Sequence, residues 1–211
     1  MSATIQSTGS SEGMGAALVL LPFSGFPISF HQIEERSRMH HSAPDVVRGS
    51  KVFRDGSGRV RIEDSMYVLV LDPVAGSRIL LLSGENVAYR TPLPQSKDGS
   101  LAFIGMLNEE NGEPSPEPNW TAAHEHVGKR MIEGIEFDCT RIVQAAEGAP
   151  QLTKTLEQWY SDSLKLIGFA QASTPYKIYT IRIRNLSRDE PSANLFTIPS
   201  EYNIVDVSLP H

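Results

Sequence analysis

The sequence predicts a mainly β protein built on a single antiparallel sheet with few short helices. Three observations lead to this prediction. The apolar runs 68–71 and 79–82 are rich in Val, Ile and Leu and are flanked by turn residues, which is typical of strands. The segments 59–63 and 177–185 alternate polar and apolar residues, as half-buried strands do. From residue 28 onward, no stretch carries a three-turn amphipathic helical pattern.

Turn residues separate the predicted strands in chain order. Residues 55–58 (Asp-Gly-Ser-Gly) and 72–76 (Asp-Pro-Val-Ala-Gly) combine side chains that cap their own backbone with residues that preset or relax φ. Glu133-Gly134 and residues 161–163 (Ser-Asp-Ser) each divide two strand patterns and predict hairpins. Residues 191–196 are expected to form at most one helical turn.

The chain is expected to hold one β domain, residues 26–211, after a flexible N-terminal segment, residues 1–25. The N-terminal segment includes the apolar run 14–21, which could be helical but has no preceding Lys or Arg, so no signal peptide is visible. A Pro/Gly-rich insert at 91–123 contains five prolines. An insert of this length and composition is either a functional lid or disordered, and the sequence leaves both open.

Composition limits the classes of partner. The net charge of -6 argues against nucleic acid, which requires clustered Lys and Arg. No segment has the roughly 20 apolar residues of a transmembrane helix. The fraction of hydrophobic residues, 40%, is enough to build a core. No cofactor is predicted, since the phosphate-binding, dinucleotide-binding and nucleophile-elbow motifs are all missing from the sequence.

The single cysteine, Cys139, is predicted to be a core residue. It alternates in register with Ile135 and Phe137, which indicates a buried position and a slowly reacting thiol. A nucleophilic role would need a basic, partly exposed setting that stabilises the thiolate. The core interpretation is therefore preferred.

His124 and His126 are the candidate metal ligands. On a strand, positions i and i+2 share a face, so both imidazoles could reach one ion. A third ligand would have to come from His40, His41 or a carboxylate of the insert, and no spacing identifies it. Surface histidines at the start of a strand are the simpler interpretation.

One cluster of charged residues and one single carboxyl group are further candidate sites. Residues Arg54, Asp55, Arg59, Arg61 and Glu63 could bind an anion, although a salt-bridged, solvated strand face is the commoner arrangement. Glu157, beside Trp159, is a candidate for a carboxyl group with a raised pKa.

Several segments resemble a group of uncharacterised exported bacterial proteins. These are residues 52–63 (VFRDGSGRVRIE), 72–76 (DPVAG), 128–134, 156–161 and 188–202. The resemblance covers roughly residues 28–206, and that group is similar in pattern to the lipoprotein-carrier (LolA-like) superfamily. The superfamily includes periplasmic lipoprotein carriers, lipid-transport lipoproteins and regulators of anti-sigma factors.

The resemblance implies an open half-barrel, a strongly curved antiparallel sheet whose concave side holds acyl chains. It also implies a periplasmic or exported location. Carriers of this type open with a helix that covers the sheet, and in this chain the insert at 91–123 would have to supply that cover.

The leading hypothesis is thus a non-enzymatic module that binds a lipid or a lipoprotein acyl chain in the curved sheet. A groove needs apolar side chains on both faces of the sheet, one set for packing and one for lining. The candidate lining is Tyr67, Leu69, Leu71, Ile79, Leu81, Trp159, Phe169, Tyr179 and Ile181. The alternatives are an envelope sensor or protein-interaction domain, and a metal-dependent hydrolase that uses His124 and His126.

Overall fold

The structure is a computed structural model, which describes residues 25–38, 43–44, 46–82, 84–93 and 120–207. In these ranges the regular structure is β-strand apart from one short helical turn. The strands are β1 (Ile28–Arg38), β2 (Val46–Arg54), β3 (Val60–Glu63), β4 (Tyr67–Asp72), β5 (Ser77–Leu82), β6 (Val87–Pro92), β7 (Trp120–Ile132), β8 (Ile135–Ala146), β9 (Ala149–Ser161), β10 (Leu166–Ser173), β11 (Lys177–Ser187) and β12 (Asn203–Asp206). A 3₁₀ turn, Ala193–Phe196, lies between β11 and β12, as the sequence predicts for 191–196.

All of these strands belong to one sheet, in the order β12-β6-β5-β4-β3-β2-β1-β11-β10-β9-β8-β7. Most strands that follow one another in sequence pair as antiparallel hairpins, and β1 joins the two halves by pairing with both β2 and β11. The sheet is curved and open and does not close into a barrel. This confirms the predicted fold class. One pairing differs, because β12 runs parallel to β6.

The predicted turns form as the residue types dictate. The Asp72 side chain accepts hydrogen bonds from the backbone N–H groups of Val74 and Ala75, both at 2.9 Å, and so closes the β4–β5 turn. At the β7–β8 turn, Glu133 and Gly134 have φ of 50° and 77°. Two consecutive positive φ values are typical of a type I′ hairpin.

The core is divided between the two faces of the sheet. The large cluster consists of Ile28, Phe30, Val52, Val60, Ile62, Leu71, Phe137, Cys139, Trp159, Leu164, Leu166, Ile181 and Ile183. The small cluster consists of Val70, Ile79, Leu81, Ala88 and Phe196. Leu71 and Val70 are adjacent in β4 and belong to different clusters, so at this strand the clusters lie on opposite faces. The 3₁₀ turn contributes Phe196 to the small cluster.

The predicted N-terminal segment and insert lie mostly outside the described residues. These are residues 1–24 and 94–119, and the proposed helix at 14–21 and the choice between a lid and a disordered insert fall there. The two ends of the insert are strand, since β6 continues to Pro92 and β7 begins at Trp120.

Candidate functional site

The register of the strands defines an apolar strip on one face of β4–β6. Tyr67 lies opposite Leu82, Leu69 opposite Leu80, and Leu80 opposite Tyr89. Residues directly opposite in antiparallel strands have neighbouring side chains on the same face. Tyr67 is 8% exposed, and the other four are half-buried. We call these five residues the apolar strip.

In β5, the strip is formed by the residues next to those predicted for the lining. Ile79 and Leu81 belong to the small cluster, on the opposite face of β5 from Leu80 and Leu82. Ile79 and Leu81 therefore do not share a face with Tyr67 and Leu69. Both faces of this strand are apolar, so hydrophobicity alone could not fix which set faces which way. Leu80 and Leu82 take the places of Ile79 and Leu81 in the candidate site.

Three further members of the predicted lining lie on the same face as the strip. Leu71 and Ile181 are buried in the large cluster, 7% and 1% exposed. Tyr179 is half-buried, and the Arg36 guanidinium lies 5.4 Å from the centre of its ring. The structure therefore keeps Tyr67 and Leu69 with these three residues on one side of the sheet.

Trp159 belongs to the large cluster and Phe169 packs against it, on strands that do not neighbour β4–β6. The two residues are opposite each other beside a register shift in β10. The Arg130 guanidinium lies 4.6 Å from the Trp159 ring and 5.9 Å from the Phe169 ring. These two aromatic residues form a cation–π group with Arg130, apart from the strip on β4–β6.

A group of polar residues borders the strip where β1 and β2 extend beyond the β3–β4 turn. Glu34 lies opposite Arg48 on one side and Ile181 on the other. The Gln32 Nε2 donates a hydrogen bond of 2.6 Å to Glu34 Oε1, and Gln32 is only 2% exposed. At the turn, the Asp64 N–H donates to the Tyr67 carbonyl at 3.0 Å. We call Gln32, Glu34, Arg48 and Asp64 the polar group.

Burial dominates the electrostatics of this group. It raises the pKa of Glu34, because leaving water disfavours the carboxylate, while the hydrogen bond from Gln32 and the charge of Arg48 act in the opposite direction. Burial also raises the pKa of Tyr67, and the negative charges of Asp64 and Glu34 add to that effect. A partly desolvated carboxyl beside an apolar surface is a common feature of ligand sites.

Sequence reasoning missed the polar group, although a signal was present. Gln32 and Glu34 continue the alternation of Ile28 and Phe30 along β1, so they occupy inward positions of an otherwise apolar series. Polar residues at such positions need partners. Gln32 finds one in Glu34 of the same strand, and Glu34 lies opposite Arg48 of β2.

The predicted anion cluster is part of the scaffold. Arg54 is fully buried, and it donates from Nε to the Phe26 carbonyl at 2.8 Å and from Nη2 to the Leu164 carbonyl at 2.6 Å. Burial lowers the pKa of Arg54 to about 10. Asp55 is 3% exposed and pairs with Arg59 at 2.7 Å. These two residues are thus buried, and the expectation of a solvated face was wrong for them.

The remaining charges of that cluster also have protein partners. Arg61 pairs with Glu63 at 2.8 Å and donates from Nη1 to the Leu195 carbonyl at 2.7 Å. The Arg59 guanidinium lies 4.9 Å from the Phe196 ring. These contacts attach the 3₁₀ turn to β3, so the cluster stabilises the fold.

The prediction of a raised pKa for Glu157 was wrong. Hydrogen bonds from Arg141, at 2.8 and 3.2 Å, hold the pKa of Glu157 below its usual range and outweigh the effect of burial. The Trp159 Nε1 donates a further hydrogen bond of 3.0 Å to the same carboxylate. A carboxylate with these donors is stabilised in its charged form.

Cys139 is completely buried, as its register predicts. Burial is the main cause that raises the pKa of its thiol, and the Glu157 carboxylate adds to it. A raised pKa and lack of access both disfavour the reactive thiolate. The prediction of a core position is confirmed.

The two candidate metal ligands are exposed on β7. His126 Nε2 is 3.9 Å from Asp138 Oδ1, and both side chains are at least half exposed. Within the described residues, no group of three or more His, Cys, Asp or Glu side chains could hold a metal ion. His40 and His41, the proposed third ligands, lie outside those residues.

No helix in the described part of the chain has the length and apolarity to cross a membrane. No protein-family model matches the sequence, and no curated protein does.

Several solved structures are similar to this chain at low sequence identity. A conserved protein from Thermus thermophilus has a TM-score of 0.48 at 8% identity, and the match covers 87% of this chain and 91% of that one. MucB in complex with MucA(peri) has a TM-score of 0.42 at 14% identity, and the match covers 86% of this chain and 57% of that one. Another similar structure is the MucA/MucB complex from Pseudomonas aeruginosa. A LolA superfamily protein from Nitrosomonas europaea has a TM-score of 0.39 at 8% identity, with 84% and 93% covered.

One of these neighbours is named as a member of the superfamily that the sequence resembles.

Proposed function

We propose that this protein is a non-enzymatic, exported or periplasmic module that binds a lipid or acyl chain on the apolar strip. The observation that carries the proposal is the accessibility of the strip. Leu80, Leu82 and Tyr89 are only half-buried and belong to neither buried cluster, although they lie side by side on an open sheet. Adjacent apolar side chains left partly exposed by the fold are typical of ligand sites.

The free energy available from such a surface is sufficient for useful affinity. Burial of a chain of about a dozen methylenes yields up to roughly 9 kcal/mol at about 0.8 kcal/mol per CH₂, before the cost of association. A dissociation constant in the micromolar range corresponds to about 8 kcal/mol. Because the cost of association must still be subtracted from the first figure, we expect binding no tighter than micromolar.

A fluorescent fatty-acid titration tests the proposal with two matched variants. Leu80→Arg places a charge in the centre of the strip and should reduce affinity at least about tenfold, because a charged group cannot be buried against the chain without a large desolvation cost. Val74→Arg is the control, since Val74 is 77% exposed in the β4–β5 turn and lies outside the strip. Lack of saturable binding by the parent, or equal binding by a folded Leu80→Arg variant, would contradict the assignment.

A second candidate function, protein interaction, is favoured by β7. This strand has 13 residues, ends the sheet and pairs with β8 alone among the described strands. A long strand edge offers unpaired backbone groups to an extended partner peptide. A photoreactive residue at Val127, which is 38% exposed in β7, should then give a discrete crosslinked product in cells, while the same residue at Val74 should not.

A further inference from the structure

Glu34 and Arg48 are opposite charges that face each other without forming an ion pair. They are direct partners in the β1–β2 register, which places their Cβ atoms about 5 Å apart. Both side chains are described, yet the ion pairs of the described residues do not include one between them. Because neither charge is bound to the other, this open pair can receive a group from outside.

The open pair lies on the same face as the apolar strip. In β1, Glu34 alternates with Phe30, which lies opposite Val52 in β2. Val52 lies opposite Ile62, and Ile62 lies opposite Leu69 of the strip. The strip and the pair therefore lie on one face of the sheet and are joined there by buried residues of the large cluster. Tyr67 belongs to the strip and lies close enough to Glu34 and Arg48 that both charges affect the pKa of its hydroxyl.

Each charged group retains hydrogen-bonding capacity toward a ligand. Glu34 is half-buried, and within the described residues its carboxylate accepts one hydrogen bond, from Gln32 at 2.6 Å. A carboxylate can accept about four, so the group is only partly satisfied. Arg48 is exposed and makes no hydrogen bond to a described residue, and neither does the Tyr67 hydroxyl.

The signs of the nearby charges select the class of ligand. A purely anionic headgroup near Arg48 would also face the carboxylates of Glu34 and Asp64. A purely cationic headgroup near Glu34 would leave Arg48 beside it as a like charge. A headgroup that carries both signs satisfies both sides of the pair, which is how electrostatic complementarity gives specificity.

We propose that the polar group is a subsite for a zwitterionic lipid headgroup, with the ammonium at Glu34 and the phosphate at Arg48 and the Tyr67 hydroxyl. The acyl chain extends from there over the apolar strip. This assignment rests on the proposed function, since it requires that the strip bind an acyl chain.

Three single-chain lipids with the same lauroylglycerol body test the subsite. Lauroyl lysophosphatidylethanolamine is zwitterionic, lauroyl lysophosphatidylglycerol is anionic, and monolauroylglycerol is uncharged. Binding is measured by calorimetry below the micelle concentration of each. The zwitterionic lipid is expected to bind about tenfold more tightly than either of the others, which corresponds to about 1.4 kcal/mol.

Two variants and a control separate charge recognition from chain binding. Glu34→Gln and Arg48→Gln should each abolish the preference for the zwitterionic lipid over monolauroylglycerol. Arg188→Gln is the control, because Arg188 is exposed on the segment after β11. The thermal midpoint of each variant confirms that it is folded.

The outcomes distinguish the two proposals. If all three lipids bind equally, or if both variants keep the parent's preference, the headgroup subsite is wrong while the proposed function stands. If none of the three binds saturably, the proposed function itself fails. A zwitterionic preference that both variants abolish and the control retains supports the subsite.

Discussion

Gly168 packs tightly against the ring of Phe137. A Cβ atom placed at Gly168 would be 2.5 Å from Phe137 Cε1 and 2.6 Å from Cζ. Phe137 is completely buried, so the ring has little freedom to move away. The register of β10 against β9 shifts between Ile167 and Phe169, on either side of this glycine. The contact thus joins β8 to β10 at the point where β10 is irregular.

We expect Gly168→Ala to lower the free energy of unfolding by about 1–3 kcal/mol, the usual cost of inserting a methyl group into a packed core. Chemical denaturation measures the change. Gly49→Ala is the matched control, because Gly49 is also in a strand and has no atom within 4 Å of the added Cβ. The control should be neutral or slightly stabilising. Equal stability of the two variants would contradict the close contact between Gly168 and the Phe137 ring.

Arg54→Lys should also destabilise the protein, although it keeps the charge. A lysine ammonium cannot reproduce the planar arrangement by which the guanidinium donates to the carbonyls of both Phe26 and Leu164. The loss of donors to buried carbonyl groups is expected to cost about 1–3 kcal/mol. Arg184→Lys, at an exposed position of β11, should have little effect. Thermal unfolding of the two variants compares them, and similar midpoints would refute the structural role of Arg54.

Glu157 should contribute stability that disappears in acid. Because the pKa of Glu157 is lower in the folded protein than in the unfolded chain, its contribution is present above pH of about 4.3 and is lost as pH falls through the folded pKa. The stability difference between the parent and Glu157→Gln should therefore shrink as pH falls below about 4.3, the usual pKa of an unfolded Glu. A difference that is constant over this range would mean that Arg141 does not hold the carboxylate.

The contribution of Glu34 to stability should change with pH in the opposite direction to that of Glu157. Because its folded pKa is raised, the unfolded chain loses its proton first, and stability falls as pH rises from about 4.3 through the folded pKa. Glu34→Gln, which cannot ionise, is expected to gain stability relative to the parent as pH rises through that window. Urea unfolding at a series of pH values tests this. If Glu34→Gln instead gains stability relative to the parent as pH falls, Glu34 is not desolvated.

The sequence predicts the sheet and its turns because these depend on local features. The alternation of 177–185 and the Asp72 turn both form as expected. The face of β5 could not be predicted, because Ile79, Leu80 and Leu81 are all apolar and only the pairing with β4 separates them.

The polar group depends on contacts between distant segments. Glu34 meets Arg48 and Ile181 only because β1 pairs with both β2 and β11, and no local pattern specifies that second pairing. The same limit explains why the lowered pKa of Glu157 could not be predicted from the sequence. Its partner Arg141 is 16 residues away and is placed by the β8–β9 register, whereas proximity to Trp159 in sequence indicated only an apolar setting.

A native mass spectrum of freshly purified protein tests the central claim most directly, with the parent and the Leu80→Arg variant measured side by side after incubation with a bacterial lipid extract. We expect the parent to carry an adduct with the mass of one lipid and the variant to be free of it. A folded parent that carries no lipid, or an equal adduct on both proteins, would contradict binding at the apolar strip.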